Sequence, residues 1–232
     1  MAASDEAIDT IKEMLSDGRL KPGDRLPPEA ELGALLGVSR NALREAVKAL
    51  TLIHVLDVRQ GDGTFVTSLA PGLMLGVLAF AVDVQPDRSL LHFFEVRRIL
   101  EPEATAKATL SMSDDEVQAL GALVDEPGDD PDVDTLMAND QEFHRRIAEA
   151  AGNPVLAAIL QSLSGRTRRA RMWRGLSDQA AIRRTLDEHR AICAAIAARK
   201  PDVAAAWARV HVAGVEDWLA SVLPADEAAG PA

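Results

Sequence analysis

Asp140 and His144 stand one helical turn apart in DQEFHRRIAEAA, a stretch whose apolar residues recur with helical period, so the two side chains share a helix face. His189 and His211, two of the chain's five histidines, fall in the middle of later segments with the same pattern. Three imidazoles and one carboxylate brought together would make a nitrogen and oxygen donor set without sulfur. Such a set suits Zn, Ni, Mn, Co or Fe, with further coordination positions left to water or a ligand. A lone helical histidine is more often an ordinary core or surface residue, and spacing by itself leaves both readings open. Cys193, the sole cysteine, lies one turn after His189 and suits buried packing better than thiolate ligation.

A second chemistry is written between Pro22 and Val66. Residues 22–50 read PGDRLPPEAELGALLGVSRNALREAVKAL, and residues 59–66 read RQGDGTFV. On a helix begun at Ser39, Leu43, Val47 and Leu50 share one arc, while Arg40, Asn41, Arg44 and Lys48 fall on an adjoining one. Arginine and asparagine are the side chains that reach base edges bidentately, and a helix of this kind fits the DNA major groove. The hairpin that follows would carry Arg59 and the backbone of Gly61 and Gly63 toward a phosphate or the minor groove. Any surface helix has a polar stripe, but a short helix, a Gly-Val turn, a Ser-capped basic helix and a Gly-x-Gly wing in this order point jointly to a DNA reader.

Arginines form a third group. Arg97 and Arg98 stand beside Glu95 and Glu101, and RTRRARMWR runs from Arg166 to Arg174. A solvated or salt-bridged face is the expected role for most of them. One arginine pointing inward near a metal would pair well with a carboxylate, because its planar fork matches both oxygens.

These residues need a scaffold, and the composition indicates which. The 232 residues are 47% hydrophobic, only 3% aromatic and without tyrosine, which favours helices packed through small and branched aliphatic side chains. Helices are expected near 5–17, 28–36, 39–50, 88–110, 113–125, 132–151, 154–174, 178–199 and 201–222, with HVLDV and TFVTS as the two strands of the wing. Gly175 is expected to separate two of these helices. The domains are expected at 1–70 (winged helix-turn-helix), 71–87 (connector), 88–224 (all-helical) and 225–232 (disordered tail). The apolar run Leu69–Val82 is shorter than the roughly 20 residues of a membrane span. The N-terminus MAASDEAIDT carries neither a basic nor an apolar signal region, which points to the cytoplasm. Net charge is −11, and residues 1–70 hold 8 basic and 11 acidic side chains, so indiscriminate nucleic-acid binding is disfavoured and any DNA contact must come from cations gathered on one face.

In these motifs the chain resembles the GntR family of bacterial transcription regulators, in the FadR-type branch with the all-helical FCD domain. The segments quoted above carry the N-terminal part, and EVRRILEPEA, DQEFHRRIAEAAGNPVL, EHRAICAAI and His211 the C-terminal part, together covering roughly residues 5 to 222. The resemblance implies a mainly α protein in which Ser39, Arg40, Asn41, Arg44 and the wing from Gly61 to Thr64 contact DNA. It also implies a divalent metal held by Asp140, His144, His189 and His211, and a small carboxylate bound over it with Arg97 facing the pocket. The protein would act as a homodimer on an inverted-repeat operator. Four positions depart from the pattern. Pro28 and Ala30 stand where a Ser or Thr cap and an arginine are usual, His54 where glycine precedes the wing, and Asp62 where the wing tip is basic or small.

The function so indicated is a metabolite-responsive regulator, expected to be a repressor, cytoplasmic and associated with the nucleoid when bound to DNA. The competing reading is a metal-dependent enzyme acting on a small organic acid, for which no general base is evident beside the metal donors. A DNA-bound architectural protein without an effector is the third.

Overall fold

The computed structural model describes residues 3–74, 89–128 and 131–223. The chain divides into two units, Met1–Leu78 and Ala79–Ala232.

In the first unit, α1 (Ala3–Ser16) turns Ala7, Ile11 and Met14 inward. Helix α2 (Glu29–Leu36) begins behind Pro28, which offers no side-chain cap; Glu29 and Glu31 in its first turn complement the helix dipole. It ends at Gly37, whose φ of 68° would cost a side-chain-bearing residue about 1–2 kcal/mol. Ser39 then accepts the Ala42 amide at 3.2 Å and starts α3 (Arg40–Leu52), a cap worth about 1 kcal/mol. Leu43, Ala46 and Leu50 are the buried arc of α3, with Val47 half-buried beside them. Leu43 and Leu50 belong to one core with Ile11, Met14, Leu26 and Leu32, so Leu43→Ala is expected to cost about 2–5 kcal/mol.

Strands β1 (Leu56–Arg59) and β2 (Gly63–Val66) pair antiparallel, with Leu56 opposite Val66 and Arg59 opposite Gly63. Leu56 and Val66 are both buried and tie the wing to the core. Arg25 bridges to Phe65 on the far side of β2. Only glycine fits at position 63, because a Cβ there would lie 2.8 Å from Arg25 Nε, and φ is 120°. A short helix, α4 (Pro71–Met74), opens the expected connector. The rest of that connector and the 225–232 tail lie outside the described residues.

The second unit consists, in its described residues, of α5 (Ser89–Ser111), α6 (Asp114–Asp125), α7 (Val133–Ala150), α8 (Pro154–Ser177), α9 (Gln179–Ala197) and α10 (Pro201–Val222). Gly175 does not end α8 as expected. The helix runs on to Ser177, because a residue without a side chain is what lets Val133 pack there: an added Cβ would lie 3.3 Å from Val133 Cγ1. Asp178 ends α8 and caps α9, accepting the Ala180 amide. Helices α5 and α10 run antiparallel, tied by Arg98 to Glu216 at 2.9 Å and, at the other end, by Arg199 to the Met112 carbonyl at 2.5 Å. Leu120, Val124, Phe143, Ile147, Ile192 and Ile196 form the main apolar cluster. Alongside it the inward faces carry buried polar side chains from five of the six helices: Arg97, Glu101, Asp140, Arg171, Arg174, Glu188, His189 and His211. No helix among the described residues is long and apolar enough to cross a membrane.

Candidate metal centre and nucleic-acid interface

The outer arc of α3 carries Arg40, Asn41, Arg44 and Lys48, all exposed. The cations are gathered, yet each has an acidic neighbour. Arg40 and Arg44 both donate to Glu29 of α2, at 3.3 and 3.1 Å, and Lys48 pairs with Glu45 at 2.9 Å. On the wing, Arg59 pairs with Asp57 at 3.0 Å and lies over the Phe65 ring at 4.2 Å. Solvent-exposed pairs of this kind contribute little, so a DNA phosphate can displace the carboxylates. Glu29 stands in the first turn of α2, where it also complements the helix dipole. Its bridging of two cations depends on how α2 crosses α3.

In the second unit the four predicted donors come together. The Nε2 atoms of His144, His189 and His211 lie 3.5, 3.6 and 4.0 Å from Asp140 Oδ1, and the four ligand atoms are all within 4.8 Å of one another. Helix α7 supplies the i, i+4 pair, α9 supplies His189, and α10 supplies His211. Phe143, next to His144, stacks on His189 with ring centroids 4.1 Å apart and sets that imidazole's plane.

The remaining nitrogens are organised too. His144 Nδ1 is 3.2 Å from Glu101 Oε2, and His211 Nδ1 is 2.8 Å from Glu188 Oε2. Carboxylates in these positions hold Nδ1 as the donor, which leaves the Nε2 lone pairs of His144 and His211 facing the cluster, 3.2 Å from each other. Neither nitrogen of His189 has a hydrogen-bond partner, although the residue is wholly buried. Burial and the neighbouring imidazoles hold His189 well below the usual histidine range, and burial pushes His211 down to about 4. Burial alone would raise the Glu101 carboxyl, but Arg97 and His144 more than reverse this and hold it well below the usual range. Three imidazoles and a carboxylate converging on one point, with both nitrogens of the buried His189 orphaned, fit a divalent cation.

Arg97 is 1% exposed and does not line the adjoining cavity; it donates to Glu101 Oε1 at 2.5 Å and to Thr167 Oγ1 at 2.7 Å. It therefore reaches His144 through Glu101. The arginine beside Asp140 is Arg171, whose Nη1 pairs with Asp140 Oδ2 while Nη2 donates to the Ser164 carbonyl and hydroxyl. The expected solvated face of the 166–174 run is thus corrected for part of its length. Arg169 is exposed and Arg168 half-exposed, but Arg171 and Arg174 are buried. The i, i+3, i+7, i+10 series Ser164, Thr167, Arg171 and Arg174 is the signal that would have revealed an inward polar face. Glu188, adjacent to His189 in sequence, was also missed.

A cavity of about 130 Å³, lined by Glu101, Gln141, His144, Leu160, Gln161 and Ser164 among others, opens beside His144. A second, far smaller cavity lies on the Asp140 and His211 side.

A winged helix-turn-helix head and a helical unit with a cavity beside a histidine cluster, carried on one chain, are the parts of a one-component transcription regulator. Residues 3–66 match the family model "Bacterial regulatory proteins, gntR family", and residues 92–214 match the FCD domain. The chain belongs to the GntR family, in the FadR-like branch defined by the FCD domain, and it is a regulator rather than an enzyme. It is 35% identical over 159 residues to the uncharacterized HTH-type transcriptional regulator YcbG of Bacillus subtilis (strain 168), covering 68% of this chain and 66% of that one. It is 29% identical to the galactonate operon transcriptional repressor of Escherichia coli (strain K12), over 87% of this chain and 90% of that one. A solved structure, the GntR protein of Streptococcus agalactiae, superposes with a TM-score of 0.65 at 27% identity, covering 92% of this chain and 99% of that chain.

Proposed function

We propose that this regulator senses a small carboxylate metabolite in its FCD domain (88–224) and transmits the occupancy to a DNA-binding head (1–70). The observation that carries the reading is the convergence of Asp140, His144, His189 and His211 next to a cavity bordered by hydrogen-bonding side chains. These four residues would hold a divalent cation, one of Zn, Ni, Mn, Co or Fe; when bound, it supplies a Lewis-acid anchor for the carboxylate. Gln141, Gln161 and Ser164 offer hydrogen bonds to the rest of the effector. Glu101, set by Arg97, orients His144, and Glu188 orients His211.

Regulation follows from differential affinity: the effector shifts the protein toward whichever form it binds more tightly, and operator affinity changes with it. The head would read DNA through Ser39, Arg40, Asn41, Arg44 and Lys48, with Arg59, Gly61, Gly63 and Thr64 of the wing on the adjoining backbone. A homodimer on an inverted repeat is supported by the exposed apolar residues of the paired helices, Val96 and Ile99 on α5 and Val203, Trp207 and Val210 on α10. Repression is supported by the likeness to the galactonate operon transcriptional repressor. The place of action would be the cytoplasm, at the nucleoid when bound to DNA.

Elemental analysis of the purified protein and of His144→Ala tests this directly. The wild type should carry close to one divalent ion per chain, and carboxylates should raise its melting temperature only without chelator. His144→Ala should lose both properties and keep its operator affinity. Retention of metal and carboxylate response in that variant refutes the assignment.

A further inference from the structure

Arg174 is a buried cation with no ion pair: Glu188 and Asp178 attract it only from a distance, and Arg184 repels it. It is 4% exposed, its Nε has no hydrogen-bond partner, and among the described residues no carboxylate lies within ion-pair distance of its guanidinium. The other two buried arginines are matched, Arg97 with Glu101 and Arg171 with Asp140. The nearest candidate, Glu188, is a neighbour only. Its Oε2 is committed to His211 Nδ1 at 2.8 Å, and its Oε1 and Arg174 Nη2 both lie beside Gly214, where an added Cβ would be 3.9 and 3.7 Å from them. An unpaired buried charge is among the most costly features a fold can carry. Such features are retained where a ligand completes them.

Arg174 faces a specific place. It lines the smaller cavity together with Asp140, Arg171, Thr185 and His211, and this cavity shares no lining residue with the one beside His144. Arg171 and Arg174 are three residues apart on α8, so both guanidinium groups come from one face. Arg171 also has an unpartnered Nε. The cavity measures about 10 Å³, room for one water molecule.

We propose that Arg174, with Arg171 and the Thr185 hydroxyl, forms a carboxylate subsite on the Asp140 and His211 side of the histidine cluster, separate from the cavity beside His144. A planar guanidinium matches both oxygens of a carboxylate. Because the cavity is small, an entering carboxylate must widen it, and α8 and α9 both line it. Asp178 alone separates these helices, so the displacement is concentrated at a one-residue joint. The proposal rests on the reading of this unit as an effector domain but not on the presence of metal.

The test uses the full chain treated with chelator, titrated with malonate by calorimetry and by the fluorescence of Trp173, which adjoins Arg174. Wild-type protein should bind malonate under these conditions. Arg174→Met should weaken that binding about tenfold or more, and Arg174→Lys should retain part of it. Free Arg174→Met should also resist urea better than the wild type, since an uncompensated charge has gone. Malonate binding that is absent in the chelated wild type, or equal in wild type and Arg174→Met, overturns the proposal. So does an Arg174→Met protein that is less stable than the wild type yet binds malonate normally. Malonate binding by wild-type protein that never takes up metal would leave this subsite standing and remove the metal from the proposed function.

Discussion

Asp140 serves the histidine cluster with one oxygen and a buried arginine with the other, and that double role can be measured. Its Oδ1 faces the three imidazoles, while its Oδ2 is the only carboxylate partner of Arg171 among the described residues. Both members of the ion pair are buried, Arg171 at 5% and Asp140 at 1% exposure. Asp140→Asn keeps the shape and removes the charge, leaving a guanidinium buried without compensation, for which the expected loss in metal-free protein is about 3–5 kcal/mol. Arg171→Met alone leaves the buried Asp140 carboxylate without its cation and should cost a comparable amount. The double variant has no buried charge left to compensate and should recover most of the loss, giving a coupling energy of about 2–4 kcal/mol. Urea unfolding in the presence of chelator supplies the numbers. All three tryptophans, Trp173, Trp207 and Trp218, lie in the second unit, so their fluorescence follows that unit. If the two substitutions add within about 0.5 kcal/mol, Asp140 is not the counterion of Arg171 and the account of this site's electrostatics is wrong.

Three further outcomes are expected. His54 sits at φ 59°, a conformation that costs a non-glycine residue about 1–2 kcal/mol. After allowing for glycine's larger chain entropy, His54→Gly should stabilise the first unit by about 0.5–1 kcal/mol, and a calorimetric melting temperature that falls would contradict this. Burial depresses the proton affinity of His189 and His211 in the folded state, so the unfolded chain binds more protons below about pH 6.5. The metal-free second unit should therefore be fully stable above that pH and lose stability as pH falls from 6.5 toward 4. A urea midpoint that stays constant between pH 7 and pH 5 rules this out. Finally, Arg44→Ala should weaken operator binding and reduce its salt dependence, whereas Glu29→Gln, which frees Arg40 and Arg44, should tighten it several-fold. Fluorescence anisotropy on an operator selected from random duplexes distinguishes the two directions.

Much of the head was legible because its signals are local. Ser39 caps α3, Gly37 takes the left-handed turn, and the spacing of Leu43, Val47 and Leu50 orients the helix without reference to anything distant, although Ala46 is buried more fully than Val47. His54 was legible as a departure, but its positive φ needed the backbone. The cluster of Asp140, His144, His189 and His211 was half legible: four-residue spacing places the first two on one face, while nothing local brings in histidines from α9 and α10. Arg171 and Arg174 were misread because a dense basic run is normally a solvated face, and only the helix phase set by Ser164 and Thr167 says otherwise.

The amino-acid sequence by itself determined the order of elements, the outward basic arc of α3 and the shared face of Asp140 and His144, since caps, turns and helical period act over a few residues. Tertiary packing decided that Glu29 would hold Arg40 and Arg44, that Arg97 would reach His144 through Glu101, and that Arg174 would be buried without a partner. Charge pairing inside a fold depends on which helix faces are pressed together, and that is set by the whole bundle rather than by any one segment.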